Sequence, residues 1–315
     1  MIRRTMLFAA AALVVAGLAA GLSQATAPGK NGRIAFDRVA LSNTLTVNIV
    51  VANSDGRGQR TITHAARGYL DAHPDWSPDG SRIVFERGCS NNCSRHIWTM
   101  RPDGSGLRRL SPRCRSGAFC PDDLEARFSP DGRQIAFTSY RGPKTGGYSI
   151  WVADANLRHA HRVATGAMPR WSLDGKQLVF VAKPRTVWSV YVCNSDGSGL
   201  RRITPLQLKV SEHPDWSPDG TRILFAAGPK DRWNLFTIRP DGTGLQQLTH
   251  FKGLTRVQVG SYSPDGKSIV FSSVVGAVNQ RGLDDVFVMT ADGKNRRPIT
   301  RTPNWDGEAD WGPRP

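Results

Sequence analysis

The sequence predicts an all-β fold, a six-bladed β-propeller with four antiparallel strands per blade, and three observations carry that reading. An aromatic residue followed by Ser-Pro-Asp-Gly, or a near copy, recurs at Trp76, Phe128, Trp171, Trp216 and Tyr262, at intervals of 52, 43, 45 and 46 residues. Each copy holds several short apolar runs, and none shows the 3.6-residue apolar period that helical solenoid units would carry. The fragments left at the two ends complement each other, so that a sixth blade is shared between them. With 32 Gly and 20 Pro among 315 residues, a chain of many tight turns is the natural expectation.

The strands of a blade follow in a fixed order. In Ser-Pro-Asp-Gly, Pro presets φ at the first turn position, Asp tolerates the second, and Gly takes the positive φ that closes a hairpin. The strand entering the turn carries the aromatic residue. The strand leaving it is short and apolar: Ile83-Val84-Phe85, Ile135-Ala136-Phe137, Leu178-Val179-Phe180, Ile223-Leu224-Phe225 and Ile269-Val270-Phe271. A third strand follows, such as His96 to Met100 or Asn234 to Ile238, and ends in a second turn such as Asp103-Gly104 or Asp241-Gly242. The fourth is brief, as in Arg201 to Thr204. At the C-terminus, Ala309 to Pro313 is an aromatic first strand that stops at its turn. Asn31 to Phe36 resumes at that point, with Val47 to Ala52 and Arg60 to Thr63 as third and fourth strands. Closing the last blade from both termini removes the open edge of the ring.

Before the repeats, Arg3-Arg4, an apolar run from Met6 to Ala20 and the small residues ending Ala25-Thr26-Ala27 read as a cleaved signal peptide, residues 1–27, followed by the propeller, 28–315. An uncleaved anchor is the competing reading, and the arginine pair leaves general secretory and twin-arginine export both open. Export to the periplasm or beyond implies an oxidising setting. Two local disulfides are expected among Cys89, Cys93, Cys114 and Cys120, with a four-thiolate metal site as the alternative. Cys193 stands where other copies carry Ala52, Met100, Ile238 and Met289, so it reads as a buried, inert thiol. The net charge of +16 favours anionic polymers, lipid head groups or acidic proteins over nucleic acid for an exported chain. Much of that charge recurs in one strand, as Arg108-Arg109, Arg201-Arg202 and Arg296-Arg297. No second apolar segment of membrane-spanning length follows the first.

The repeated aromatic-Ser-Pro-Asp-Gly, the Ile-Ala-Phe type strand and the Asp-Gly turns together resemble the WD-like propeller repeats of the TolB family, over roughly residues 31–313. Leu173 in place of the turn Pro and Ala155-Asn156-Leu157 in place of an Asp-Gly turn are mild departures. The resemblance implies a periplasmic protein that docks partner proteins and an outer-membrane lipoprotein. The α/β domain that precedes the propeller in that family is not expected here. The repeats also resemble propeller halves of serine peptidases, but no Gly-x-Ser-x-Gly elbow occurs.

The strand before each Ser-Pro-Asp-Gly is expected to line the central channel. Three residues before each aromatic stand His73, Glu125, Met168, His213, Val259 and Glu308, and one residue before stand Asp75, Arg127, Arg170, Asp215, Ser261 and Asp310. Ring order puts His73 between Glu308 and Glu125, with Asp71, Asp123 and Asp306 near in sequence, and His213 three blades away. One acidic half-mouth with a single imidazole is therefore expected, able to hold a divalent cation or a cationic group. The competing reading pairs these carboxylates with Arg127 and Arg170 or with water. His73 or His213 as a general base would suit a lyase on acidic sugars, but no compact nucleophile and base constellation demands catalysis and no cofactor is called for. The sequence-level expectation is a monomeric, exported scaffold for an envelope or extracellular protein, with ligand or carbohydrate binding second and a lyase or hydrolase third.

Overall fold

Each Ser-Pro-Asp-Gly turn folds in the same way. In the first copy, Ser77 Oγ donates to Asp79 at 2.5 Å and accepts from Arg82 N at 2.9 Å, while Gly80 N donates to Ser77 O at 2.8 Å with Gly80 at φ +68°. The side chains thus close the turn that Pro and Gly preset. Ser172 does the same with Asp174 at 2.7 Å although Leu173 stands in place of Pro, and Gly175 N still reaches Ser172 O at 2.9 Å. In the blurred second turn, Leu157 takes φ +57° where other copies use Gly, and its N bonds Asp154 O at 2.8 Å.

The structure is a computed structural model that describes residues 29–40, 45–89, 93–114, 119–141, 147–183, 187–210, 213–229, 232–252, 255–275 and 284–314. The proposed signal peptide lies outside these residues. They form strands and no helix, and none of them belongs to a helix long and apolar enough to cross a membrane. The fold is an all-β propeller. Four sheets have four antiparallel strands each. They comprise Asp122–Phe128, Gln134–Tyr140, Ser149–Asp154 and His161–Thr165; Ala167–Trp171, Gln177–Ala182, Ser189–Asn194 and Arg201–Arg202; Asp215–Trp216, Ile223–Ala227, Asn234–Ile238 and Gln246–Gln247; and Thr255–Tyr262, Ser268–Val275, Asp285–Thr290 and Arg297–Pro298.

The remaining eight strands form one sheet, which departs from the expectation of six separate blades. One half contains Trp305–Pro313, Asn31–Ala40, Thr46–Ala52 and Arg60–Thr61, and the other contains Tyr69–Trp76, Ile83–Cys89, His96–Met100 and Arg108–Arg109. A parallel bridge between Val47 and Leu70 joins the halves. The cause is local: Asn48 Oδ1 accepts from Ala65 N at 2.7 Å and Thr46 Oγ1 from Gly68 N at 3.3 Å, drawing the connecting segment against the third strand.

The apolar core lies in seams between successive copies. Phe36, Phe85, Phe137, Phe180, Phe225 and Phe271 are fully buried at one position of the second strand. Each seam mixes neighbours: Ile49, Val51 and Ile62 pack with Trp76, Ile83 and Phe85, and Phe36, Val50 and Ala52 with Val270, Val288 and Trp311. Polar bonds cross the same seams. Asp75 accepts from Phe128 N at 2.9 Å, Asp215 from Tyr262 N at 2.9 Å, Ser261 from Trp311 N at 2.8 Å and Asp310 from Trp76 N at 3.0 Å. The last of these closes the ring through the terminal strand. The recurring outer arginines also bridge copies: Arg297 donates to Ser54 O at 3.1 Å and Arg201 to Pro240 O, so this charge column serves the ring rather than forming one patch.

Candidate functional site

Five copies carry, in or just before the first strand, a non-glycine residue in the left-handed region three positions before the aromatic. These are His73 at φ +53°, Glu125 at +51°, Met168 at +62°, His213 at +47° and Glu308 at +46°. Register shifts between Ala72 and Asp75, Leu124 and Arg127, and Ala167 and Arg170 show why: the strand takes an extra residue there, and a bulge re-aims its side chain. Left-handed backbone is costly for residues other than Gly and clusters where function or packing over-determines it.

At this layer the channel is narrow enough for opposite copies to touch. His73 and His213, expected on separate halves, have ring centroids 5.5 Å apart. His73 Nε2 lies 3.6 Å and His213 Nε2 3.4 Å from the same Glu308 Oε2. The expectation of a mouth with one imidazole is corrected accordingly, because ring order says which copies are opposite and nothing about the width between them. One donor atom from each of His73, Glu125 and His213 lies within 4.8 Å of the other two. Glu125 also accepts from Thr138 Oγ1 at 2.7 Å and Met168 N at 3.0 Å.

The electrostatics divide the two imidazoles. Burial opposes charge on His73, but Glu86 and Glu308 outweigh it and push the pKa up to about 10. Burial, the His73 charge, Arg127 and Arg170 hold His213 well below the usual histidine range. Glu86, which faces His73 Nδ1 at 3.2 Å, is drawn down to about 2 by His73 and Arg95 despite its burial. One charged and one neutral imidazole thus share a carboxylate.

One layer deeper the channel is filled by ion pairs. Arg170 Nη1 donates to Asp75 at 2.9 Å and Asp310 at 3.2 Å, its Nε stands 3.8 Å from Asp215, and Arg127 lies 3.9 Å from Asp75. Arg127 and Arg170 thus lie in the layer of Asp75, Asp215 and Asp310, whereas the two imidazoles lie in the layer of the glutamates. A cavity of about 40 Å³ remains beside Arg170.

Asp71 and Asp306 do not join the histidines. Arg87 clasps Asp71 at 2.6 and 2.7 Å, and Arg38 clasps Asp306 at 2.6 and 3.0 Å. Asp123 accepts from Ser139 Oγ at 2.6 Å and Ser111 Oγ at 2.9 Å. The bulge breaks strand alternation, so these residues do not continue the channel face. Sequence reasoning missed Glu86 and Asp37, which directly follow Phe85 and Phe36 on the second strand. The signal was present, since other copies place Ala226 or Val181 at that position.

The cysteines pair as Cys89–Cys93 and Cys114–Cys120, each with Cα atoms 5.5 Å apart, which leaves no thiolates for the four-cysteine metal alternative. Both staples lie at the end of the ring where first strands begin, as Tyr69 pairing with Cys89 shows. Cys193 is buried in the seam with Trp171 and Phe180, and burial raises its pKa to about 11.

The TolB beta propeller domain family matches residues 45–259. Two Tol-Pal system protein TolB chains of Anaeromyxobacter dehalogenans are similar, 31% identical over 83 residues and 30% over 81, which is 26% of this chain and 19% of theirs. The matched segment thus spans about a fifth of those relatives' length. Among solved structures, TolB from Acinetobacter baumannii superposes with a TM-score of 0.72 at 20% identity, covering 90% of this chain and 67% of that one. A putative TolB from Agrobacterium tumefaciens gives 0.64 at 18% identity, covering 88% and 90%. At these identities the likeness is one of fold. With a family match over more than half its length, the chain belongs to the TolB beta propeller domain family.

Proposed function

We propose that this chain is an exported, monomeric scaffold, a six-bladed ring that docks an envelope or extracellular protein on the face bearing the two disulfides. The six-blade count treats the eight-stranded sheet as two blades meeting at one bridge, and the apolar seams between successive copies support it. Export is supported by the N-terminal sequence pattern and the paired cysteines. The relatives' name, a Tol-Pal system component, favours an assembly partner over a substrate.

One observation carries the choice of face. Of the exposed large apolar side chains among the described residues, Leu45, Phe119, Tyr148, Trp188 and Leu206 sit on loops at the stapled end and Tyr69 at the strand start there, whereas Leu107, Leu200 and Leu245 sit at the other. Phe119, Tyr140 and Tyr148 form a run of rings 5.8 and 5.6 Å apart beside a groove of about 530 Å³ lined by Leu45, Leu70, Cys89, Cys93 and Cys120. Clustered exposed aromatics on a rigid frame are the composition of protein interfaces. An acidic or amphipathic partner surface suits the basic ring.

The test is affinity capture from the native envelope with wild-type protein, a Phe119→Ser/Trp188→Ser variant and a Leu107→Ser/Leu245→Ser variant. The proposal expects one partner retained by the wild type and the second variant and lost by the first. A partner lost only with Leu107 and Leu245, or equal capture by all three proteins, refutes the stapled face as the docking surface.

A further inference from the structure

The histidine and glutamate layer goes beyond docking and is independent of it. We infer that His73, His213, Glu125 and Glu308 form a binding site for one divalent transition-metal ion of the zinc class at the channel mouth.

Three features carry this. The first is spacing: both Nε2 atoms approach Glu308 Oε2, at 3.6 and 3.4 Å, and Glu125 contributes a donor to the cluster within 4.8 Å. Ligand atoms arranged tetrahedrally around an ion at 2.0–2.1 Å stand about 3.4 Å apart, so small rotations bring these atoms onto one ion. The second is the support behind the imidazole. Glu86 Oε1 stands 3.2 Å from His73 Nδ1 and is itself fixed by Arg95 at 3.3 Å and Glu125 N at 3.0 Å. A carboxylate behind a histidine is the outer partner that orients metal-ligating rings, and on binding the ion displaces to solvent the Nε2 proton that His73 carries in its absence. The third is delivery from a shared backbone position: the four residues take the same left-handed conformation in four different copies, His73, Glu125 and Glu308 at strand bulges, and His213 and Glu125 are buried at 4% and 6% exposure. Such donors need little reorganisation to close on an ion.

The chemistry of the set selects the metal class. Two imidazoles with carboxylates suit zinc-like ions, whereas Ca²⁺ and Mg²⁺ prefer oxygen alone. The arginines one layer deeper are engaged with Asp75, Asp215 and Asp310.

The experiment uses the full exported chain with its disulfides intact, stripped with chelator and titrated with Zn²⁺ by calorimetry, with metal analysis after gel filtration. One ion per chain is expected, with no comparable Ca²⁺ binding. Glu308→Gln and His213→Asn should abolish stoichiometric binding, and Glu86→Gln should weaken it by roughly 10- to 100-fold while leaving one site. His96→Ala should change nothing; His96 is the control because its Nε2 lies 3.6 Å from Cys120 Sγ in a second cluster of donor residues. Absence of stoichiometric Zn²⁺ in the wild type overturns the inference whatever the variants do. So does binding that survives Glu308→Gln or disappears with His96→Ala.

Discussion

Arg170 reaches carboxylates from three other copies of the repeat and is nearly inaccessible to solvent. Removing one partner from a buried ion network leaves uncompensated charge, so Arg170→Met is expected to cost about 3–5 kcal/mol in chemical denaturation. A loss below 1 kcal/mol would show that Arg127 takes over. Asp284 offers a pH test away from the channel. Burial lifts its pKa to about 6, against which Trp305 Nε1 and Arg256 work only in part. A carboxyl that ionises near 4 when unfolded and near 6 when folded makes the native state the better proton binder in that window, so its contribution falls as pH rises from 4 to 6. Asp284→Asn should therefore lose little at pH 4 and gain stability relative to wild type at pH 7.5, and a pH-independent difference between the two melting curves would contradict this. At this scale the sequence showed the columns but not the contacts. The column of His73, Glu125, His213 and Glu308 was readable from the repeat, whereas the meeting of His73 with His213 depends on channel width. Asp71 and Asp306 looked like site residues only because the bulge that changes alternation leaves no mark in the pattern.

Among the elements, the turns were the most legible, since their chemistry is local. Ser, Asp and Gly recur because each makes a specific bond or dihedral, and the one missing Pro is tolerated because Ser172 and Asp174 still close the turn. Leu173→Pro should then stabilise the protein by about 0.4–1 kcal/mol through the unfolded chain, because proline is already accommodated at this position in the other copies. A decrease in thermal midpoint would mean that this turn differs from them. The strand before the turn was less legible. Periodicity placed it in the channel, but the extra residue at each bulge is a long-range adjustment to neighbouring copies, and the parallel bridge from Val47 to Leu70 arises from a loop with no repeat signature.

Over the whole molecule, closure rests on the strand Trp305–Pro313. It pairs with Asn31–Ala40, places Trp311 in a seam, and sends Asp310 both to Trp76 N and to Arg170. Gly312 packs so closely on Trp76 that an added Cβ would stand 2.5 Å from the ring, which explains a Gly where other copies have Ser. Truncation after residue 303 should open the seam, expose Trp76 and Ile34 to solvent, and convert a monodisperse protein into aggregates on gel filtration. A truncated chain that remains monomeric with wild-type hydrogen-exchange protection would show that the ring does not depend on this clasp. The closure was legible from the complementary end fragments. The gathering of apolar side chains on one face was not, because loop composition varies from copy to copy and only topology assigns each loop to an end. The docking reading rests on that face, and site-specific photo-crosslinking in the native envelope tests it most directly. A photoreactive residue at Phe119, Trp188 or Leu206 should yield one discrete heavier adduct, and one at Leu107, Leu200 or Leu245 should yield none. Adducts from the second group alone, or from neither, would contradict the account.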